Sequence, residues 1–363
     1  MESVARLMAF DINFYKGKKI FVTGHTGFKG TWLCAILMSV GANVIGYSNG
    51  FPTNPSLFEL VGMGNKVNSI NGDVRDYNTL RQTIDKEKPE IIFHMAAQPL
   101  VRESYLNPLL TYETNVMGTV NILECIRNSK TVKSFLNVTT DKVYLNKEWT
   151  WGYRENDELD GYDPYSNSKS CSELVTHSYK KCFFQNTDIA ISTARAGNVI
   201  GGGDFAKDRI IPDCVKSAIK HQPIVVRNPY SIRPYQHVLE PLFAYLMIAG
   251  KQYSDNQYQG YYNVGPDDDG CYRTGDLVEQ FVNSWGEGLE WKTQKQEGPH
   301  EAGFLKLDCS QIKSRFGWHP VWKLSEAIDK VVEWSKCWDD NQDVYNCMIR
   351  QINDYQSKWN SIQ

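Results

Sequence analysis

Short apolar runs alternate with longer helix-like stretches from about residue 18 to about residue 194. The runs at 19–23, 43–47, 91–94, 134–138 and 189–193 predict strands, because β-branched and aromatic side chains fill most of their positions. Nearly continuous apolar runs are typical of strands buried on both faces of a parallel sheet. The stretches between them predict helices over 30–40, 77–86, 105–128 and 166–184. This order predicts an α/β fold with a doubly wound parallel sheet and right-handed crossovers.

The texture of the chain changes after Arg195. Three glycines at 201–203 and several prolines interrupt the alternation, while apolar residues stay frequent. We therefore expect a first domain over residues 1–195, with return segments near 235–264, and a smaller substrate-binding domain over 196–363. The stretch 325–359 is amphipathic and predicts a helical segment that packs on the rest of the chain.

Composition excludes several classes of protein. The chain has 363 residues with 39 basic and 42 acidic side chains, so no basic excess favours a nucleic-acid partner. No signal sequence and no apolar run of about 18 residues is present, so we expect no membrane partner. The nine scattered cysteines lack a CxxC pair and favour reduced thiols in the cytoplasm. The seven histidines form no zinc motif, so we expect no metal.

A glycine-rich loop follows the first predicted strand and opens the first predicted helix. Gly24, Gly27 and Gly30 allow a tight turn and let the backbone approach a pyrophosphate, which the helix N-terminus attracts. Thr26, Phe28 and Lys29 complete this loop. The pattern predicts a Rossmann-like dinucleotide site that these six residues line.

The second predicted strand ends without the acidic residue that usually holds the adenosine ribose. No carboxylate occurs there before Glu59, and no arginine or lysine occurs there either. Ser48 or Asn49 would then bind the ribose through neutral hydrogen bonds. This end of the strand favours NAD over NADP.

Tyr165 and Lys169 lie four residues apart, one turn apart on a predicted helix. A lysine ammonium beside a phenol stabilises the phenolate and lowers the pKa of the tyrosine, which makes it a usable base. Thr139 or Thr140, at the end of the preceding strand, would supply a hydroxyl that orients a sugar alcohol. The order of phosphate loop, threonine pair and tyrosine–lysine pair indicates an oxidoreductive site.

At these residues the chain resembles the nucleotide-sugar 4,6-dehydratases of the extended short-chain dehydrogenase/reductase family, over about residues 14–322. The motifs that carry the resemblance lie at residues 22–30, 52–58, 94–102, 162–166, 194–204 and 233–238. The resemblance implies a hydro-lyase that uses bound NAD, in the branch that acts on CDP-glucose.

The resemblance also implies roles by position. Thr140, Tyr165 and Lys169 would form the oxidoreductive triad, and Asp141 and Lys142 would carry out the elimination. Sister enzymes carry Asp-Glu at this place, so either Lys142 or a water that it holds would remove the C5 proton. The remaining implied residues are Asp73 and Val74 at the adenine, Ala96 and Ala97 at the nicotinamide, Asn115 in a structural role, and Gln98, Arg102, Asn198, Arg209, Arg233, His300 and Glu301 at the nucleotide sugar.

The resemblance implies a homodimer or homotetramer built on the helices predicted at 105–128 and 166–184. Three rival functions stay open: another nucleotide-sugar 4,6-dehydratase, a 4-epimerase or plain dehydrogenase on the same scaffold, and a non-catalytic NAD-binding scaffold. An epimerase or dehydrogenase would need no acid–base pair after Thr140, and Asp141 with Lys142 therefore favours dehydration.

Overall fold

A seven-stranded parallel sheet forms the centre of the computed structural model, which describes residues 10–267, 270–294 and 303–362. The strands of this sheet are β1 (Lys19–Thr23), β2 (Asn43–Ser48), β3 (Asn68–Asn71), β4 (Ile91–His94), β5 (Ser134–Thr140), β6 (Ala190–Ala196) and β11 (Tyr261–Val264). Their spatial order is β11-β6-β5-β4-β1-β2-β3. The order reverses between β1 and β4, which is where doubly wound sheets bind ligands. The predicted fold class is confirmed.

The five predicted strands all occur, and the sequence missed two strands at the edges of the sheet. Strands β1 and β4 have the predicted bounds, and β5 is buried along its whole length. Strand β3 carries the polar sequence NSIN and is largely exposed. An edge strand of this kind shows no apolar run, so hydrophobic pattern alone does not find it.

Helices flank the sheet. Their bounds are α1 (Phe28–Ser39), α2 (Leu57–Leu60), α3 (Tyr77–Glu87), α4 (Val101–Leu106), α5 (Pro108–Tyr112), α6 (Gly118–Arg127), α7 (Pro164–Tyr179), α8 (Ile210–Ile219), α9 (Leu239–Ser254), α10 (Thr274–Trp285), α11 (Ser310–Phe316), α12 (Leu324–Asp339) and α13 (Val344–Ile362). The helices α5 and α7 each run into a π-helical turn, Glu113–Met117 and Lys180–Phe184 respectively.

The single helix predicted over 105–128 is wrong. The structure places α4, α5, the π-helical turn and α6 there, because Pro108 disfavours helical geometry at the residue before it. Asn107 has φ −129° and ψ 65°, which separates α4 from α5. The stretch 325–359 is also divided, into the helices α12 and α13. Asn341, which lies between them, has a left-handed φ of 54°.

The chain after residue 196 adds three two-stranded sheets. They are formed by β7 (Val199–Ile200) with β10 (Gln236–His237), by β8 (Ile224–Val226) with β13 (Trp291–Thr293), and by β9 (Ile232–Pro234) with β12 (Cys271–Arg273). A separate apolar cluster there joins α8, α10 and α12. Helix α9 is buried, packs on β5 and β6, and leads to β11 in the main sheet. The predicted domain boundary near 195 stays a prediction.

The buried carboxyl group of Glu240 on α9 fixes the C-terminal part of the chain. It accepts hydrogen bonds from the backbone N–H groups of Val321 and Trp322 and from the Tyr355 hydroxyl, at 2.6–3.1 Å. Burial raises the pKa of Glu240 to about 7.

In the described part of the chain, no helix combines the length and the apolar run needed to cross a lipid bilayer.

Candidate active site

A large cleft of about 2390 Å³ opens at the carboxyl ends of the sheet strands. The predicted cofactor, catalytic and substrate residues that fall within the described chain all line it. They are Gly24, Thr26, Gly27, Phe28, Lys29, Gly30, Ser48, Asn49, Asp73, Val74, Ala96, Ala97, Gln98, Arg102, Thr140, Asp141, Lys142, Tyr165, Lys169, Asn198, Arg209 and Arg233. His300 and Glu301 lie outside the described residues. Parallel strands end at one edge, which brings these distant positions together.

The glycine loop packs too closely against its neighbours for larger residues. A Cβ on Gly24, whose φ is 74°, would lie 2.8 Å from the backbone nitrogen of Ala96. A Cβ on Gly30 would lie 2.2 Å from the Gly24 carbonyl oxygen. Gly27 is the N-cap of α1 and provides no side-chain hydrogen bond, so the helix N-terminus faces the cleft uncapped. This arrangement fits the pyrophosphate of a dinucleotide.

His25, to which the sequence analysis assigned no role, supports the loop from behind. Its two ring nitrogens lie 2.8 Å from the hydroxyl oxygens of Ser48 and Ser69, so it links β2 to β3. Burial lowers the pKa of His25 to about 4, which keeps the ring neutral. The Ser48 hydroxyl is therefore engaged by His25, and Asn49 is the exposed polar side chain at this strand end.

The end of β5 and the start of α7 form the catalytic part of the cleft. Thr140 donates a hydrogen bond from its hydroxyl to the Asp141 carboxyl group at 2.9 Å. Asp163 caps α7 by accepting from the Ser166 N–H at 3.0 Å, and Pro164 starts the helix. Tyr165 therefore lies in the first turn of α7, where its hydroxyl meets the Thr140 side chain.

The expected fall in the pKa of Tyr165 is wrong for this arrangement. Burial raises the pKa of Tyr165 to about 12, and the hydrogen bond with Thr140 opposes that shift. The Lys169 ammonium donates to the Val138 carbonyl oxygen at 3.1 Å, and burial lowers the pKa of Lys169 to about 8. Desolvation of the phenolate outweighs the Thr140 hydrogen bond and the charge of Arg209, so deprotonation of Tyr165 needs further positive charge in the cleft.

Burial favours the neutral form of the Asp141 carboxyl group. The side chain is 1% exposed, and its burial raises the pKa of the carboxyl group. Its second oxygen, Oδ2, has no hydrogen-bond partner among the described residues. A Cβ on Gly197 would lie 3.2 Å from that oxygen and 2.7 Å from the Pro234 side chain, so a residue larger than glycine would clash there. A buried carboxyl group with a raised pKa and an oxygen without a partner suits proton donation to a leaving group.

A buried ion pair, which the sequence analysis did not find, anchors α7 to the sheet. Arg195 on β6 lies 3.0 Å from Glu173, one turn beyond Lys169, and both side chains are at most 3% exposed. Glu173 also accepts hydrogen bonds from the hydroxyls of Thr139 at 2.5 Å and Thr193 at 2.7 Å. Thr139 therefore stabilises the ion pair that holds α7 to the sheet. Thr140 is the threonine that lies beside Tyr165.

This division between the two threonines gives a matched test. We expect Thr139→Val to lower the free energy of unfolding by about 1–3 kcal/mol, because it removes a buried bond to a charged group. The turnover of the folded Thr139→Val protein should stay near normal. Thr140→Val should lower kcat, and it should also cost some stability because it removes the buried hydrogen bond to Asp141. Urea unfolding and steady-state kinetics on both variants measure these effects, and equal losses of kcat would contradict the assignment.

The far wall of the cleft carries arginines that are paired with carboxylates. Arg209 lies 3.1 Å from Asp204, and Arg102 lies 3.2 Å from Asp208. Arg227, a further cleft residue that the sequence analysis missed, lies 3.1 Å from the same Asp208. The pairs of Arg102 and Arg227 with Asp208 are partly exposed and therefore weak, so an anionic ligand can displace that carboxylate. Asp204, in contrast, is buried beside Arg209.

Gln98 serves the loop in which it lies. Its side-chain amide donates to the Leu100 carbonyl oxygen at 3.1 Å and to the Thr111 hydroxyl at 2.9 Å. Its side-chain oxygen accepts from the Leu100 N–H at 2.6 Å. Asn115 donates to Ser168 at 2.9 Å and holds the same loop against α7. These bonds fix Gln98 in the lining of the cleft, and Asn115 supports it from behind.

Comparison with known proteins found matches over almost the whole chain. A family model described as GDP-mannose 4,6 dehydratase matches residues 21–331. A CDP-glucose 4,6-dehydratase of Salmonella typhimurium is 48% identical over 96% of this chain and 98% of its own.

Solved structures of lower identity share the fold. A UDP-glucose 4-epimerase from Stenotrophomonas maltophila, solved with bound NAD, superposes with a TM-score of 0.79 at 19% identity, over 89% of this chain and 99% of its own. A dTDP-glucose 4,6-dehydratase from Bacillus anthracis, in complex with NAD, superposes with a TM-score of 0.73 at 20% identity, over 91% of this chain and 100% of its own.

Proposed function

The chain belongs to the GDP-mannose 4,6 dehydratase family, and we propose that it converts CDP-glucose to CDP-4-keto-6-deoxyglucose and water. The relative that is 48% identical supports CDP-glucose as the substrate. The observation that carries the reaction class is the buried Asp141, adjacent in sequence to Thr140 and Lys142 and in the same cleft as Tyr165. A 4-epimerase needs no proton donor at this place, whereas loss of water from the sugar does.

The glycine loop, the open N-terminus of α1 and the end of β2 would hold NAD. These residues fit it because no side chain blocks the loop and the helix end offers unpaired N–H groups. When bound, NAD supplies the acceptor and later the donor of the hydride that the sugar loses at C4 and regains at C6.

The side chains of the cleft then divide the proton transfers. Tyr165 takes the proton of the C4 hydroxyl, while Thr140 orients that hydroxyl and Lys169 stabilises the phenolate. The C4 ketone acidifies the C5 proton, which Lys142 or a water that it holds removes. Asp141 gives its proton to the departing C6 hydroxyl, and burial, which raises the pKa of this carboxyl group, favours that role.

The experiment is turnover of CDP-glucose by the purified chain with NAD in catalytic amounts. We expect a 4-keto sugar, detected by its absorbance in alkali, without net consumption of NAD. CDP-, dTDP-, GDP- and UDP-sugars compared side by side test the nucleotide preference. A C4 epimer as product would support the rival epimerase function. Binding without any turnover would support the non-catalytic scaffold.

Requirement for NAD gives a separate prediction. Because the hydride returns to the sugar, NAD should copurify with the protein or activate it far below the substrate concentration. Absorbance of the released nucleotide and activation curves with NAD and NADP measure this. Equal or better activation by NADP would contradict the interpretation of the β2 end.

We further propose a homodimer built on the outer faces of the helices α4 to α7. Exposed apolar side chains lie on α4, α5, α7 and the two π-helical turns, and exposed apolar surface is typical of an interaction surface. They include Leu106, Leu109, Met117, Leu174 and Phe183. Light scattering of the purified protein tests this proposal, and a monomer would contradict it.

A further inference from the structure

The end of β2 lacks the acidic residue that usually selects NAD, so the choice between NAD and NADP needs another source of charge. NADP carries a phosphate where NAD carries a ribose hydroxyl, and this group lies at the end of the second strand in doubly wound folds. The Ser48 hydroxyl is engaged by His25, at 2.8 Å. Asn49 is the exposed polar side chain that is left to meet the ribose.

The neighbouring strand supplies a carboxylate to Asn49. Strand β3 pairs with β2, with Ser48 opposite Asn71, so Asp73 follows just beyond the end of β3. The Asn49 side-chain amide donates to Asp73 Oδ2 at 2.9 Å. Within the described residues, the Asn49 side-chain oxygen accepts no hydrogen bond. That oxygen can accept from a ribose hydroxyl, but it has nothing to accept from a phosphate.

Asp73 also binds the guanidinium group of Arg75. Arg75 donates from Nε to both Asp73 oxygens at 3.0 Å and from Nη2 to Oδ2 at 2.6 Å. Its Nη1 lies 3.3 Å from Glu113. The hydrogen bonds from Arg75 lower the pKa of Asp73, which stays ionised. Two carboxylates therefore surround one guanidinium, and these three side chains sum to one negative charge.

We propose that Asp73 selects NAD over NADP, by orienting the Asn49 amide oxygen toward the ribose and by keeping Arg75 away from a 2′-phosphate. The proposal rests on the proposed function, because it concerns the same dinucleotide. It gives Asp73 a task beyond the adenine contact that the family resemblance implies. The adenine is the same in both nucleotides, so loss of an adenine contact cancels in the ratio of their dissociation constants.

The test measures the Kd of NAD and of NADP by calorimetry, on the full chain freed of nucleotide and without any sugar. Asp73→Asn should lower the ratio of the NADP Kd to the NAD Kd by about tenfold, since one charge is removed and Arg75 is released. Asp85→Asn is the matched control, because it makes the same charge change on α3, where Asp85 pairs with Arg81 at 2.7 Å. It should leave the ratio unchanged.

A second variant keeps the test decisive if Asp73→Asn fails to fold. Arg75→Gln leaves both carboxylates without their cation, so it should raise the same ratio. An unchanged ratio in folded Asp73→Asn, or better NADP binding by Arg75→Gln, would overturn the role of Asp73. If the unaltered chain binds neither nucleotide, the proposed function itself is wrong. Binding of both with a ratio that no variant changes overturns this inference alone.

Discussion

Tyr165→Phe should lower kcat by about 10²–10⁴-fold while the protein stays folded, because general base catalysis typically contributes this factor. The phenol is the group in the first turn of α7 that meets Thr140. Burial raises the pKa of Tyr165 to about 12, so the phenol needs a neighbouring positive charge to act as a base. Burial lowers the pKa of Lys169 to about 8, so this side chain carries its charge only below that pH. Activity that needs the ammonium should therefore fall as the pH rises through that value.

The control for this variant removes a phenol hydroxyl outside the cleft. Tyr112 on α5 donates a hydrogen bond at 2.9 Å to Asn167, which lies on α7 like Tyr165. Tyr112→Phe should leave kcat close to that of the unaltered enzyme. Steady-state kinetics and circular dichroism on both variants make the comparison. Near-normal turnover by Tyr165→Phe would contradict the role of Tyr165 as general base, and the four-residue spacing to Lys169 would then have no catalytic meaning.

Asp141→Asn should block water loss while it leaves oxidation at C4 intact. An amide cannot give a proton to the departing hydroxyl, so dehydration should slow by about 10²–10⁴-fold. Reduced nicotinamide should then accumulate, which near-ultraviolet absorbance after mixing with CDP-glucose measures. Asp160→Asn is a matched control, because Asp160 also lines the cleft and undergoes the same change. Full dehydration by Asp141→Asn would refute the assignment.

Isotope labels follow the same sequence of steps in the unaltered enzyme. Sugar deuterated at C4 should give product that carries the label at C6, and turnover in heavy water should label C5. Mass spectrometry and proton NMR of the product locate both labels. Label that escapes into free reduced nucleotide would show simple oxidation instead of dehydration.

The strands inside the sheet could be predicted from the sequence because burial on both faces leaves an apolar run. Strands β1 and β4 have the predicted bounds for this reason. Strand β3 could not be found in this way, since an exposed edge imposes no apolar pattern. The break between α4 and α5 does have a local signal in Pro108, which disfavours helical geometry at Asn107. Our prediction of one helix over 105–128 did not use it.

The members of the cleft could be predicted because strand ends and helix starts fix where side chains meet. The partners behind the cleft could not, since they depend on the register of distant elements. Glu173 follows Lys169 at the same four-residue spacing as Lys169 follows Tyr165, which is a local signal. Its partner Arg195 lies on strand β6, distant in sequence from helix α7, and His25 bonds residues at two strands. Those pairings exist only in the folded chain.

The attachment of Glu240 bears on the order in which the chain acquires its structure during synthesis. The ribosome releases α9 well before Val321, Trp322 and Tyr355, which supply the hydrogen bonds to the Glu240 carboxyl group. Until those residues emerge, the buried face of α9 holds a polar group without partners, and this opposes its docking. We therefore expect α9 to dock stably only after Tyr355 has been synthesised, and a nascent chain that stops short of Tyr355 to leave apolar surface exposed.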